Sequence, residues 1–332
     1  MAHKNKSIMR FVGGRNISKI LFTPGPASLL TENITGLRPC FGRNDKDYDL
    51  LEKRVLTKLR KLSGHDRIVR MQGSASLALE VMSLNFLYGD VLVVSTGYYS
   101  DRILSLARST KRRVGKIKKI SVINWKKLDF ISKKFDWVYA CSTETSCGLK
   151  LPIITLANIC KKLKSKLMLD ATGSIGLEPD HDLADVIAFS SCKGLFGLTG
   201  ASFICFNNKP EIEIDSFYLD INSHLKKLMT GPYHAISSLD EVLPKHSTLK
   251  SSVIINKIKF QKKMQKWLTV PLTHQPLLCT HVRCKIKSRS NKKVVLYKPR
   301  NNLGGSVVSH LGEVHKGNLA KGDILNYLKV VV

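Results

Sequence analysis

Between Val242 and Leu311 the chain has no aspartate or glutamate, although Lys and Arg recur throughout that stretch. Over the whole sequence 54 basic residues stand against 25 acidic ones, a formal net charge of +29. A charge of that size fits a nucleic-acid partner, an anionic surface, an anionic small ligand or a plain surface bias. Aromatic residues, 7% of the chain, interleave little with the basic stretch, and no nucleic-acid motif is recognisable, so a nucleic-acid partner is not expected. No run approaches the roughly 18 apolar residues that a membrane helix needs. The basic opening MAHKNKSIMRFVGG is followed by no apolar core of signal-peptide type, so the expectation is a soluble, cytoplasmic protein without a membrane partner. Eight cysteines (Cys40, Cys141, Cys147, Cys160, Cys192, Cys205, Cys279 and Cys284) form no CxxC pair. They read as reduced, buried small hydrophobes. Internal repeats and low-complexity segments are absent as well.

What the chain does have is core-forming material: 43% of its residues are apolar. From about residue 66 to 206, strand-like runs (RIVRMQ, VLVVST, WVYACS, KLMLDAT, DVIAFSS, ASFICF) alternate with helical patterns such as 76–87 and 154–163. Continuous apolar runs suit strands buried on both faces, and their alternation with helices predicts an α/β fold around a mostly parallel sheet. Ahead of this block, Asp49 to Leu62 is an amphipathic helix and Pro24-Gly25-Pro26 a rigid turn. Behind it, an apolar stripe at Leu249, Val253, Phe260, Met264 and Leu268 predicts a helix with a basic opposite face. It leads into a small region of strands (LLCTHVRCKI, KVVLY) and a last helix. The division expected is a segment 1–20, a large domain 21–240 and a small C-terminal α+β domain 241–332.

In a parallel sheet, ligands lie beyond the carboxyl ends of the strands. Four runs end there in small or polar residues: QGSASLALE, TGYYSDR, DATGSIG and SSCKGLFGLTG. Gly73-Ser74-Ala75-Ser76 leads straight into a helix, so its backbone N–H groups and hydroxyls suit a phosphate, or else simply an N-cap. Asp170 closes an apolar run, and a carboxylate there needs a cation or hydrogen-bond donors. Lys193 ends the next strand, enclosed by Gly and Ser, where a lysine amine kept from water can form an imine. Each signal alone has a bland reading. Together, a phosphate loop, an aromatic, a buried carboxylate and an enclosed lysine on successive strand ends are what pyridoxal phosphate requires: the carboxylate for its ring nitrogen, the lysine for its aldehyde.

The motifs TPGP, GRNDKDYDLL, QGSASLALE, VLVVSTGYYSDR, TETSCGLKLP, LDATGSIG, SSCKG and MTGPYHAI resemble in combination the class V aminotransferases of pyridoxal-phosphate fold type I. The nearest branch in motifs holds the 2-aminoethylphosphonate–pyruvate and the serine–pyruvate or alanine–glyoxylate transaminases. The likeness runs from Leu21 to about Leu239. It implies Lys193 as the Schiff-base lysine, Asp170 as partner of the ring nitrogen and Ser74, Ala75 and Ser76 as the phosphate cup. Further cofactor contacts are implied for Tyr99, stacked on the ring, for Thr145 near its phenolic oxygen, and for Ser190. Thr230 would reach the phosphate in the other subunit of a homodimer. Two departures stand out. Val307 occupies the place of the arginine that grips the substrate carboxylate in the family, and Cys192 that of a polar residue before the lysine. Arg43 and Arg300 are therefore the candidates for holding the substrate anion. A metal at His310 and His315 is not expected, for want of further ligands. The function implied is transfer of an amino group between a small amino compound, an aminophosphonate or short amino acid, and a 2-oxo acid. Its alternatives are a pyridoxal-phosphate lyase on the same fold and, remotely, a basic nucleic-acid-binding protein on a retired enzyme fold.

Overall fold

The computed structural model describes residues 18–25, 29–38, 44–289, 294–300, 303–311 and 324–331, together with residues 7, 10, 11, 13, 14, 42 and 314. Its centre is a seven-stranded sheet made of β2 (Arg67–Gln72), β3 (Gly89–Ser95), β4 (Ile117–Asn124), β5 (Trp137–Cys141), β6 (Lys166–Asp170), β7 (Val186–Ser190) and β8 (Ala201–Phe206). The spatial order is β2-β8-β7-β6-β5-β3-β4. Only β8 runs against its neighbours β2 and β7, so β2, β3, β5, β6 and β7 all point their carboxyl ends to the same edge.

Successive side chains of these strands serve two cores, which is why their sequences are apolar throughout rather than alternating. Leu92, Val94, Val138, Ala140, Leu167, Leu169, Ile187 and Phe189 face a cluster with α2 (Lys46–Ser63), α5 (Ile153–Leu163) and α7 (Tyr233–Val242). Val91, Val93, Trp137, Tyr139, Met168, Val186 and Ala188 face α3 (Ala75–Phe86) and α4 (Tyr98–Val114) on the other side. Two further helices, α1 (Thr31–Thr35) and α6 (Ile221–Leu225), are short. Helix α2 begins where the Asp45 carboxylate accepts hydrogen bonds from the Asp47 and Tyr48 N–H groups, and stops at Gly64 in the left-handed conformation.

The long helix α8 (His246–Met264) buries Val253, Phe260 and Met264 as the periodicity predicts. Its opposite face is not purely basic: Ile254, Ile255 and Ile258 lie exposed among the lysines. Beyond it, the run LLCTHVRCKI forms two strands, β9 (Cys279–Val282) and β10 (Lys285–Ser288), because the chain turns at Arg283 and Cys284. Then follow β11 (Val294–Leu296) and β12 (Ser306–Ser309). No last helix appears among the described residues, and most of the chain beyond Leu311 lies outside them. A short 3-10 turn at Ile324–Tyr327 gives way to β13 (Leu328–Val331), whose β-branched run pairs antiparallel with β10. At the front of the chain, β1 (Ile20–Phe22) pairs in parallel with β11, and Phe22 joins Phe260, Met264, Val282 and Val308 in a core of their own.

The described cysteines are unpaired; five are buried, and Cys147 and Cys192 are partly so, while Cys40 lies outside the described residues. No described helix is long and apolar enough to cross a membrane.

Candidate active site

At the shared carboxyl edge of the sheet, Lys193 sits three residues past the end of β7, in a turn. Its amine lies 5.5 Å from the centre of the Tyr99 ring. Two glycines make room for that turn. The position a Cβ would take on Gly194 lies 2.1 Å from the Ile175 carbonyl oxygen, and the one on Gly25, whose φ is +121°, lies 3.1 Å from Cγ of Lys193. The Thr23-Pro24-Gly25 bend therefore crosses directly over the lysine stem. From the other side His246, the first residue of α8, places Nε2 2.8 Å from the Gly194 carbonyl oxygen.

Asp170 ends β6 with 2% of its surface exposed. The cation its burial demands is Arg102, one turn into α4, whose Nη2 donates to Oδ2 at 2.7 Å. The Thr172 backbone N–H donates to Oδ1 at 3.0 Å. Arg102 also donates from Nη1 to the Ser76 hydroxyl at 3.3 Å and stacks 4.9 Å from the Tyr99 ring centre. Burial opposes the guanidinium charge, but the Asp170 carboxylate outweighs it and holds Arg102 above its ordinary value. One arginine thus ties the α3 start, the aromatic and the carboxylate together.

Glu144, fully buried, accepts hydrogen bonds from the Tyr99 N–H at 2.9 Å and the Ser100 N–H at 3.1 Å, and so anchors the first turn of α4. Burial raises its pKa against these donors and that of Ser146. The placement is favourable for a carboxylate because the amino end of a helix carries the positive end of its dipole.

Of the residues singled out from the sequence, Lys193, Tyr99, Asp170 and Ser76 converge, the last two through Arg102. Ser74 takes the cap position of α3 without making a side-chain cap bond, so the plain N-cap reading does not account for it, and Ala75 is the first helical residue. Ser190 is the buried last residue of β7. The hydroxyls of Thr145 and Thr172 are buried with no hydrogen-bond partner. Such orphaned donors at the mouth of a parallel sheet fit a polar ligand. Thr230 is exposed in the loop before α7, whose Gly231 rests on the Arg70 guanidinium. Arg300 reaches the site's rim: Nη1 donates to the Tyr98 hydroxyl at 3.0 Å, and the Tyr98 ring meets that of Tyr99 edge-on at 5.4 Å. Arg43 and His315 lie outside the described residues. Val307 is buried in β12 opposite His281, and His310 is buried with Nε2 on the Thr280 hydroxyl. Among the described residues no group of three His, Cys, Asp or Glu is placed to hold a metal ion.

Arg102 and Glu144 were overlooked in the sequence although both stand inside the motifs GYYSDR and TETS. The demand of Asp170 for a cation was the available signal, and an arginine three residues after the aromatic, on the same helical face, answers it.

The family model for class-V aminotransferases matches residues 57–219, the span from α2 to the loop after β8 that carries every converging residue. Those residues belong to that family. A 2-aminoethylphosphonate–pyruvate transaminase of Pseudomonas aeruginosa is 24% identical over 252 residues, 68% of either chain. An uncharacterized aminotransferase of Helicobacter pylori is 23% identical over 62% of this chain and 60% of its own. The fold matches the alanine–glyoxylate aminotransferase of Nostoc sp. with a TM-score of 0.75, at 18% identity, over 90% of this chain and 91% of that one. It matches an aspartate aminotransferase of Thermus thermophilus equally well, at 17% identity. The chain carries this class-V domain and is a pyridoxal-phosphate-dependent transaminase, acting between an amino compound and an oxo acid.

Proposed function

We propose that the enzyme moves an amino group between a small amino compound bearing an anionic group, an aminophosphonate or a short amino acid, and a 2-oxo acid, with Lys193 as its central residue. The observation that carries this reading is the Lys193 amine over the Tyr99 ring, with the Arg102–Asp170 pair beside that ring. Bound pyridoxal phosphate supplies an aldehyde that captures amines and a ring that accepts electron density from the adjoining carbon. Ser74, Ala75 and Ser76 would hold its phosphate at the start of α3, where backbone N–H groups are unpaired by the helix. Tyr99 would stack on the ring, Asp170 would face its nitrogen, and Ser190 and the orphaned Thr145 hydroxyl would supply hydrogen bonds. The primary amine of Lys193 would retain the cofactor by its aldehyde, and the same amine would carry a proton to and from the substrate carbon.

With valine buried at position 307, substrate anion binding falls to Arg300, joined from outside the described residues by Arg43. Arg300 stands on the exposed side of Tyr98, two rings from Lys193, with donors left over for a carboxylate or phosphonate. Relatives named for 2-aminoethylphosphonate support an aminophosphonate donor. A homodimer accounts for the exposed Thr230, which a second subunit would use at its phosphate. Residues 21–240 form the cofactor-binding domain and 241–332 the smaller one that presents Arg300. The enzyme is assigned to the cytoplasm.

The test is optical. Protein purified with pyridoxal phosphate should carry a visible absorbance band that Lys193→Ala abolishes. Mixing with the right amino donor, without an acceptor, should convert the cofactor to its pyridoxamine form. Native protein that stays colourless with the cofactor would refute the reading.

A further inference from the structure

Arg102 is given no role of its own in the scheme above, yet it touches more of the site than any other side chain described. It holds Asp170 through Nη2 at 2.7 Å and Ser76 through Nη1 at 3.3 Å, and its plane lies against Tyr99. Its Nε is buried without a partner. The guanidinium side chain is 28% exposed and the carboxylate it holds 2%.

We propose that Arg102 is a positioning residue that weakens the hold of Asp170 on the proton of the cofactor's ring nitrogen, a role that rests on reading Asp170 as that nitrogen's partner. A carboxylate raises the basicity of a nitrogen facing it because its full negative charge favours the protonated form. Asp170 does not present a full charge. A cation lies 2.7 Å from Oδ2, on a buried group where the interaction is poorly screened, so the pair presents a dipole. Each carboxylate oxygen has two acceptor sites, and the structure fills one on each, Oδ1 with the Thr172 N–H and Oδ2 with Arg102. Room for the ring nitrogen therefore remains, but on a carboxylate whose charge is already shared.

No other described group does the same from another side. Cys141 and Tyr139, on β5 beside Asp170, are both pushed up, first by burial and further by the Asp170 charge, in Tyr139 against a larger opposing effect of its hydrogen bond with Ser83, so they stay neutral. Glu144 is spent on the N–H groups of α4. Lys193, the remaining basic group near the ring, belongs to the cofactor's aldehyde. A ring nitrogen that holds its proton less firmly draws less electron density from the substrate carbon, so Arg102 moderates the ease of proton removal there without touching substrate.

The measurement is the 15N resonance of ring-15N-labelled pyridoxal phosphate in the intact enzyme, followed against pH. In the native enzyme the nitrogen is expected to lose its proton within the range where the protein stays folded. In Arg102→Gln that loss should move upward by about one pH unit or more, the size of effect expected when an opposite charge beside a carboxylate is removed. Arg102→Lys, which keeps the charge, should stay close to native. A native nitrogen that keeps its proton across the whole range overturns the proposal without any variant, as does an unchanged titration in Arg102→Gln. Native protein that takes up no cofactor refutes the assignment of Lys193 and Asp170 instead.

Discussion

Gly25 lies against the stem of Lys193: a Cβ on it would stand 3.1 Å from Cγ of the lysine and 3.6 Å from the Cys192 carbonyl oxygen. Its φ of +121° is a conformation that side-chain-bearing residues rarely adopt. Replacement by alanine therefore strains the bend and presses on the lysine. We expect Gly25→Ala to cost about 1–3 kcal/mol of stability from the backbone alone, and to lower cofactor content per subunit. Chemical denaturation measures the first and visible absorbance the second. Full cofactor content at native stability would show that the bend is free to move off Lys193.

Arg300 separates substrate binding from cofactor binding. Its guanidinium is exposed and rests on Tyr98, with no described contact to Lys193, Asp170 or Ser76. Arg300→Gln should leave the visible band intact and raise KM for the anionic substrate about tenfold or more, since a hydrogen bond to a charged group contributes about 1.5–3 kcal/mol. The conservative Arg300→Lys should restore part of the loss. An unchanged KM in the glutamine variant would place the anion elsewhere, with Arg43 the next to replace.

The sheet was legible because its strands are short apolar runs buried on both faces, and RIVRMQ and ASFICF coincide with β2 and β8 residue for residue. The reversed direction of β8 was not legible, since its composition matches that of its parallel neighbours. Lys193 and Asp170 were found because a charged residue at the end of such a run is out of pattern, and Tyr99 through the resemblance of GYYSDR to the family. Arg102 was missed because an arginine on an amphipathic helix is in pattern, and only the register of α4 against β6 turns it inward. The last helix expected from the sequence does not fall among the described residues; those at 324–331 form a 3-10 turn and β13, whose end completes a sheet edge at β10. The exposed isoleucines of α8 show another limit. Apolar residues on both sides of a helix do not announce which side is covered.

Two buried histidines make the stability of the fold pH-dependent. Burial lowers the pKa of His181 to about 4, helped by His65 and Lys250, and that of His310 to about 3, helped by Lys257. In the folded chain both stay neutral, with Nε2 of His181 on the Ser174 hydroxyl and Nε2 of His310 on that of Thr280, each at 2.9 Å. In the unfolded chain they take up a proton near their ordinary value, about 6.5. Because the unfolded state binds more protons below that value, stability is full above it and falls as the pH drops toward the folded values. Between about pH 7 and about pH 5 each histidine should withdraw about 2 kcal/mol. Urea unfolding of native protein and His181→Asn at both pH values isolates the effect. The cost of the substitution should be smaller at the lower pH by about that amount. Parallel pH profiles for the two proteins would mean that His181 already carries a proton in the folded state.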